Sequence, residues 1–457
     1  MNWKKGGDSV HSENLYWIWL SDRLGVASKY LTPLIERFES PFEIYSLTED
    51  ELIMSGCVPK DIASRLSNKN LGKAYNIMDS CTVGNIGILS YADKFYPASL
   101  RSIKDPPAVL YYKGSLIDFN EKLCIAVVGT RTMSEYGKRT AYKMGYELAS
   151  AGAVVVSGMA LGVDSVAACG AITAGGKTIA VLGCGVDIVY PREHAKLKKI
   201  IENNGVVISE FAPGTSPMGS NFPIRNRIIS GIAQGTLVIE ADARSGALIT
   251  ARSALVQGRE VFAVPGNIDE SNSSGTNAMI KGGATTVLSA DDILINYELT
   301  YGRFLNYAGL AYSKQTYEYS EGAIERMGIS SRRYNNAHKE NTSGELKTTG
   351  LKIRNKPVAD EKKSEAPSTK TKDGSGADPK AASKKAPPHK KDNSEELLAQ
   401  MDEKTRRIFE EIPIDRAATI EMLCNLGFTA GDVLMATTAL EMNGLINILP
   451  GGLYVRV

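Results

Sequence analysis

The sequence predicts an α/β protein with a doubly wound, mostly parallel sheet, a small all-helical N-terminal domain and a C-terminal winged-helix domain. Three patterns indicate this fold class. Short Val- and Ile-rich runs alternate with helical patterns in the middle of the chain, apolar residues recur at helical spacing before them, and the chain ends in two strand-like runs around Pro450-Gly-Gly. Strands that alternate with helices are typical of parallel sheets, because each crossover needs a helix.

Composition limits the possible classes of protein. At 457 residues, of which 43% are hydrophobic, the chain is long enough for two or three domains of about 150 residues each. The formal net charge is only +2, and residues 335–392 hold 14 Lys and Arg against 8 Asp and Glu. The rest of the chain is therefore slightly acidic, so an anion site must be locally focused. The absence of a secretory pattern and of a long apolar run predicts a cytoplasmic protein with no membrane span.

Residues 1–80 are predicted to form a helical domain of the SAM or helix-hairpin-helix kind. Apolar residues recur there every three or four positions, and the pattern breaks at Ser40-Pro41 and at Gly56. Such a domain either binds the DNA backbone or only packs against its neighbours. The pattern alone does not choose between the two.

The central domain is predicted over residues 85–296. A Pro-punctuated lead-in over residues 86–114 predicts one strand at the edge of the sheet. Almost every later run ends in Gly, Ser, Glu or Pro, and ligands of open α/β sheets bind outside the carboxyl ends of the strands. The candidate site therefore lies at these strand ends. The predicted central strands are 124–128, 154–156, 178–182, 206–208, 236–239 and 261–264.

Beyond the central domain, the sequence predicts a partly disordered basic linker over residues 297–392 and a winged helix-turn-helix domain over residues 393–457. No Phe, Trp or Tyr occurs in residues 335–392, so this stretch cannot form a core. The recognition helix is expected at about residues 430–443, yet no Lys or Arg occurs from 417 to 455. A duplex reader needs cations for phosphates and bases, so the pattern favours a protein-contact role.

Two segments cluster arginines and hydroxyls where helices are expected to begin. They are Phe222-Pro-Ile-Arg-Asn-Arg227 and residues 241–251, which include Arg244 and Ser245. The N-terminus of a helix binds anions through its backbone N–H groups, and arginine adds donors matched to phosphate oxygens. With Arg131 after the first central strand, these segments predict a phosphate-rich partner. Any one of the arginines, taken alone, is equally explained by a surface ion pair.

Catalytic and cofactor patterns are weak. Residues 171–178 match a relaxed phosphate-loop pattern but lie between a helix and a strand, the reverse of the order that a phosphate loop needs. No G-x-G-x-x-G follows the first central strand, where a helix is expected to open near Ser134. His194 is the only histidine of the central domain, and the six cysteines include no C-x-x-C pair. The sequence predicts reduced, mostly buried thiols and neither a cofactor nor a metal.

Seven segments occur together in the central domain: Val128-Gly-Thr-Arg131, Ser157-Gly-Met-Ala-Leu-Gly-Val-Asp164, residues 180–191, Ser209-Glu210, residues 222–231, Ser245-Gly-Ala-Leu-Ile-Thr-Ala251 and residues 258–266. This combination resembles the bacterial DNA-processing protein A (DprA/Smf) family over about residues 90–295. The resemblance implies an extended Rossmann-like domain that binds and protects incoming single-stranded DNA. It also implies a homodimer that loads a RecA-type recombinase in natural transformation, without turnover chemistry.

The resemblance assigns a set of nucleic-acid-binding residues. Phe222 in this set either stacks on a base or only packs. The set comprises Gly129, Thr130, Arg131, Ser157, Gly158, Gly162, Phe222, Arg225, Asn226, Arg227, Arg244 and Ser245.

The chain departs from the family pattern at three places. Ala167-Ala168 stand where members usually carry Ala-His, and His194 replaces the Asn that follows Tyr-Pro. The lysine that some members place after Ser-Glu is also absent, with Phe211 there instead. The resemblance therefore implies that the anion site depends more heavily on its arginines.

Two alternative functions stay open at this point. A Rossmann-like nucleotide or phosphoribosyl hydrolase would suit a similar pocket, but the chain lacks the Pro-Gly-Gly-x-Gly-Thr motif of the Lonely-guy type. The second alternative is an adaptor protein that acts mainly through the winged domain. The acidic residues at the strand ends either work as acids, bases or metal ligands, or cap helices and pair with arginines: Asp164, Asp187, Glu210 and Glu240.

Overall fold

The computed structural model describes residues 5–329, 398, 401–413, 418–443, 445–449 and 453–456. The chain divides into two units, Met1–Lys347 and Thr348–Val457. The predicted helical and central domains both fall within the first unit. No helix among the described residues is long and apolar enough to cross a membrane.

Six helices form the N-terminal part of the first unit. They are α1 (Lys5–Leu24), α2 (Leu31–Phe38), α3 (Pro41–Ser46), α4 (Glu49–Met54), α5 (Lys60–Ser67) and α6 (Gly72–Gly84). Local caps fix where two of them begin. Ser40 accepts a hydrogen bond from the backbone N–H of Glu43 ahead of α3, and Thr48 and Glu51 form a capping box at α4. Trp17 is almost fully buried, so the apolar pattern of this region forms a core.

A nine-stranded sheet follows the helices. Its strands are β1 (Gly87–Ser90), β2 (Val109–Gly114), β3 (Cys124–Val128), β4 (Val154–Ser157), β5 (Thr178–Val181), β6 (Val206–Ser209), β7 (Gly235–Val238), β8 (Glu260–Ala263) and β9 (Thr285–Thr286). Their order is β1-β2-β6-β5-β4-β3-β7-β8-β9. β1 pairs with β2, and β2 with β6, in antiparallel fashion, and the other neighbours are parallel.

The predicted central strands correspond to β3–β8 within one residue at either end. Val, Ile and Ala fill these strands because helices cover both faces of the sheet. The prediction of a single edge strand before them is wrong. β2 has neighbours on both sides, and β1 lies at the edge.

The direction of chain progression reverses at β3. From β3 the chain proceeds through β4 and β5 to β6 on one side, and then crosses to β7 on the other side. At such a switch point the loops after neighbouring strands diverge and leave a crevice at the carboxyl ends of the strands. The loops after β3, β4 and β7 therefore border one crevice.

Helices of the first unit cover the two faces of the sheet. One apolar cluster includes residues of the helices at 135–150, 163–173 and 195–204, and a second cluster, on the other face, includes residues of the helices at 221–232 and 246–256. The helices after α6 are α7 (Ala98–Arg101), α8 (Glu135–Ser150), α9 (Val163–Thr173), α10 (Ala195–Asn204), α11 (Asn221–Ile232), α12 (Gly246–Val256), α13 (Ser274–Lys281), α14 (Asp291–Leu294), α15 (Glu298–Tyr301), α16 (Tyr307–Thr316) and α17 (Glu321–Arg326).

Residues 297–329, a tyrosine-rich segment at the start of the predicted linker whose structure the sequence leaves open, are folded. Leu310 and Ile324 are almost fully buried in the core of the first unit. The side chain of Lys138 on α8 forms an ion pair with Glu321 at 2.6 Å, and the Tyr319 hydroxyl donates a hydrogen bond to the same carboxylate. Tyrosines supply much of the apolar contact area in this segment. The sequence therefore lacks the regular aliphatic pattern that usually predicts a core. The remainder of the predicted linker lies outside the described residues.

The second unit contains α18 (Glu403–Glu411), β10 (Ala418–Thr419), α19 (Ile420–Asn425), α20 (Ala430–Met442), β11 (Ile446–Leu449) and β12 (Leu453–Arg456). Its three strands form an antiparallel sheet in the order β10-β12-β11. The expected recognition helix corresponds to α20. The turn at residues 450–452 lies outside the described residues, and the winged-helix assignment stays a prediction.

A buried ion pair joins α11 to the N-terminal helices. The Arg227 guanidinium contacts the Glu210 carboxylate at 2.5 Å and donates to the backbone carbonyl of Asp105 at 2.6 Å. The other Glu210 oxygen accepts a hydrogen bond from the backbone N–H of Ala27 at 3.1 Å. Burial raises the pKa of Glu210, and the charge of Arg227 opposes this rise. The pair therefore depends on both partners.

Replacing Arg227 with methionine should lower the free energy of unfolding by roughly 3–5 kcal/mol, because the Glu210 charge would stay buried without its partner. Urea denaturation followed by tryptophan fluorescence measures the loss. The double variant Arg227→Met, Glu210→Gln should recover part of it, since the uncompensated charge is then gone. Exposed Arg252→Met is the matched control. An Arg227→Met variant as stable as the parent would contradict this account of the ion pair.

Candidate nucleic-acid interface

A recess of about 640 Å³ opens at the carboxyl edge of the sheet. Its walls come from the loops after β3, β4 and β7 and from the first turns of α11 and α12. Neither of these two helices has an acidic residue in its first turn. The positive ends of both helix dipoles therefore lie at the recess and favour an anion there.

The loop after β3 presents the Arg131 side chain to solvent. Just before it, Thr130 is buried, and its backbone N–H donates to the carbonyl of Glu240 at 2.7 Å. The Thr130 carbonyl accepts from the N–H of Val163 at 3.2 Å. Gly129 leaves no room for a side chain, because a Cβ there would lie 2.6 Å from Val163. Gly129 and Thr130 thus fix the backbone that positions Arg131.

The loop after β4 forms a second wall. The Asp164 carboxylate accepts a hydrogen bond from the backbone N–H of Gly158 at 2.8 Å, and the hydroxyl of Ser157 is buried beneath the loop. Gly162 adopts a φ of 84°, and a Cβ there would collide with the carbonyl of Thr130. These three predicted site residues, Ser157, Gly158 and Gly162, therefore shape the wall through their backbone.

Phe222 lies at the centre of the site. The Arg131 guanidinium lies 5.8 Å from its ring centroid, and so does that of Arg225. The Tyr190 ring packs beside it with 5.2 Å between centroids and a tilt of 32°. The Phe222 ring thus has a second aromatic ring and an exposed guanidinium beside it. Such a group suits a ligand that has both an aromatic ring and a phosphate.

Arg225 is 4% exposed and is held by the protein itself. Its guanidinium donates to the carbonyls of Gly158 at 2.8 Å and Val181 at 2.5 Å, and its Nε donates to Asn226 at 3.1 Å. Burial lowers the pKa of Arg225 to about 10, against the opposing charge of Asp164, so it stays protonated at neutral pH. Arg225 therefore braces the wall and adds positive potential to the recess.

Arg227 does not line the recess, although it belongs to the predicted set. It is 7% exposed and engaged by Glu210 and Asp105, as described above. Residues two apart on a helix do not face the same direction. Arg225 points to the recess, and Arg227 is consequently directed to the ion pair with Glu210.

The remaining predicted residues lie around the rim. Asn226 and Ser245 line the recess, and the Ser245 hydroxyl caps α12 by accepting from the N–H of Ala247 at 3.3 Å. Arg244 is exposed, and its backbone N–H donates to the Asp242 carboxylate at 2.6 Å. Its side chain does not line the recess.

The acidic residues at the strand ends cap backbone or pair with arginine. The Glu240 carboxylate accepts hydrogen bonds from the N–H and the hydroxyl of Ser134 at the N-terminus of α8. The Asp187 carboxylate accepts a hydrogen bond from the backbone N–H of Gly214 at 2.9 Å. Glu210 forms the ion pair with Arg227 that is described above. In the described part of the chain, no group of three or more His, Cys, Asp or Glu is arranged to hold a metal ion.

Tyr190 is a site residue that is absent from the predicted set. It stands in the segment 180–191 that carries the family resemblance, but nothing in the sequence signals that its ring reaches Phe222. His194, four residues later, is buried, and its Nδ1 lies 3.0 Å from the carbonyl of Met159 in the loop after β4. It supports that loop from below and does not reach the recess.

Comparisons with known proteins show to which family the chain is related. Residues 87–298 match the family described as DNA recombination-mediator protein A. The DNA processing protein DprA of Streptococcus pneumoniae is 43% identical over 209 residues, which cover 46% of this chain and 73% of the relative.

Two solved structures are similar to this one. The X-ray structure of DprA from Streptococcus pneumoniae is 35% identical, covers 62% of this chain and 97% of its own, and superposes with a TM-score of 0.55. A structure of DNA processing protein A from Helicobacter pylori, described with its single-stranded DNA binding mode, is 31% identical, covers 47% of this chain and 97% of its own, and has a TM-score of 0.43. On its sequence identity to DprA over most of that relative's length, the chain belongs to the DNA recombination-mediator protein A family.

Proposed function

We propose that the recess binds the backbone of single-stranded DNA, with Arg131 on a phosphate and Phe222 against a base. The observation that carries the proposal is the exposed Arg131 guanidinium beside the Phe222 and Tyr190 rings, where α11 and α12 begin. Sequence-tolerant strand binding combines cationic contacts to phosphates with aromatic stacking on bases. The protein acts by binding, since the acidic groups near the recess cap helices or brace loops.

A single strand fits this arrangement better than a duplex. The bases of a duplex are stacked on one another, so their faces are not available to Phe222 or Tyr190. The unpaired bases of a single strand can rotate toward the rings while the phosphates reach Arg131. Among the residues that the structure describes, the recess has no row of exposed cations of the kind that a duplex backbone requires. This agrees with the slightly acidic charge of the chain outside residues 335–392.

We further propose that the protein protects incoming DNA and loads a RecA-type recombinase on it in the cytoplasm. Membership in a recombination-mediator family supports this role. The test is assembly of recombinase filaments on strands covered by single-strand-binding protein. Addition of this protein should accelerate assembly, and an unchanged rate would contradict the loading role.

Self-association is the third part of the proposal. Leu255 and Val256 at the end of α12 are 62% and 74% exposed, and Ile295 and Leu299 are 69% and 103% exposed. Contact with a second copy would remove these apolar side chains from water. Light scattering should give the mass of a dimer, and Leu255→Glu should reduce it to that of a monomer.

For the second unit, we propose a winged-helix fold that contacts protein. Helix α20 carries Asp432 and Glu441 and has an exposed Met435, and it contains no Lys or Arg. These side chains suit a basic protein surface better than phosphates. Deleting residues 394–457 should leave the affinity for single-stranded DNA unchanged. The same deletion should abolish association with the protein that the second unit contacts.

Replacing Arg131 with alanine should weaken binding of a twelve-nucleotide thymidine strand and reduce the salt slope of log K by about 0.7, the value for one phosphate contact on a single strand. Fluorescence anisotropy across a salt series measures both quantities. Lys177→Ala is the matched control, because it removes a positive charge from the loop ahead of β5, at the opposite edge of the sheet. An unchanged slope for Arg131→Ala, or equal affinity for the matching duplex, would contradict the proposal.

Replacing Phe222 with leucine separates stacking from packing. Leucine keeps an apolar side chain but removes the ring, and one stacked base contributes about 1–3 kcal/mol. The variant should bind the thymidine strand at least about fivefold more weakly and bind an abasic strand of equal length as the parent does. Equal losses on both strands would show that Phe222 only packs.

A further inference from the structure

We infer that Tyr136 is a second base-stacking platform, which extends the path of the strand along the carboxyl edge of the sheet and away from Phe222. The inference rests on the single-stranded DNA binding proposed above. It assigns a ligand contact to a residue outside the recess.

The Tyr136 ring is fixed at one end and open at its face. It lies in the first turn of α8, five residues after Arg131, and is 50% exposed. Its hydroxyl donates a hydrogen bond to the carbonyl of Pro265 at 2.8 Å. A ring that is already held in place loses little conformational freedom when a base stacks on it. An aromatic face of this kind, held at the same carboxyl edge of the sheet as the recess, is suited to a nucleobase.

The sheet sets the distance between the two platforms. Pro265 follows β8, and Phe222 packs on Gly183, which follows β5. From β5 to β8 there are four strand intervals, with the Arg131 loop near the middle. At about 4.8 Å per interval this is roughly 19 Å. At about 3.4 Å per stacked nucleotide, the platforms lie about five or six nucleotides apart.

The side chains near Tyr136 determine which part of the strand it contacts. Glu135 precedes it, and exposed Asp269 and Glu270 follow Pro265 along the chain. The amide of Asn272 holds this segment against the carbonyl of Thr132 at 2.9 Å. These carboxylates repel phosphates. The strand must therefore turn its bases, not its backbone, toward Tyr136.

The test compares Tyr136→Ala with the parent on thymidine strands of four and twelve nucleotides, across a salt series. A four-nucleotide strand covers only the Phe222 recess, whereas a twelve-nucleotide strand reaches both platforms. Tyr136→Ala should bind the longer strand about tenfold more weakly, within the range for one stacked base, with the salt slope unchanged. It should bind the short strand as the parent does.

Tyr136→Phe and Tyr312→Ala are the controls. Tyr136→Phe keeps the ring and should retain the parent's affinity, and Tyr312, 68% exposed on α16, should be replaceable without effect. An equal loss on both strands, an altered salt slope, or no loss on the longer strand would overturn the inference. If Arg131→Ala has the same salt slope as the parent, the result would instead contradict the binding mode on which this inference rests.

Discussion

Glu240 joins three parts of the carboxyl edge of the sheet. Its backbone carbonyl accepts a hydrogen bond from the backbone N–H of Thr130 after β3. Glu240 lies two residues after the end of β7, and its carboxylate caps α8 through Ser134. A helix N-terminus that is already neutralised by a carboxylate has no need of an external anion. The anion-binding capacity of this edge is therefore left to α11 and α12 and to Arg131, whose backbone the same contacts hold.

The arginines of the site have different physical roles. Arg225 is buried and donates to the backbone carbonyls of Gly158 and Val181, so it stiffens the loop after β4 and adds positive potential to the recess. Arg227 stabilises the contact between α11 and the N-terminal helices. Only Arg131 of the three is free to move toward a ligand. Simultaneous removal of all three would mix a loss of binding with a loss of folding, which is why Arg131 alone is the informative variant.

Much of the central fold could be predicted from the sequence, because Val- and Ile-rich runs buried on both faces have few other solutions. The cap at Ser134 and the position of the recess at the strand ends follow from equally local chemistry. The roles of Arg225 and Arg227 could not be predicted, since they depend on which side of α11 faces Gly158 and which faces Glu210. The same holds for the folded segment before residue 330, where tyrosines replace the aliphatic pattern that marks a core.

We propose that the strand binds to the loops after β3 and β4 and to the start of α11. Backbone hydrogen exchange followed by mass spectrometry, with and without a twelve-nucleotide thymidine strand, tests this placement most directly. With the strand bound, we expect slower exchange of the backbone amide hydrogens at residues 129–132, 157–162 and 221–226. We expect no change in the loop before β5 that contains Lys177. Protection confined to the N-terminal helices or to the second unit, with no change at those three segments, would contradict it.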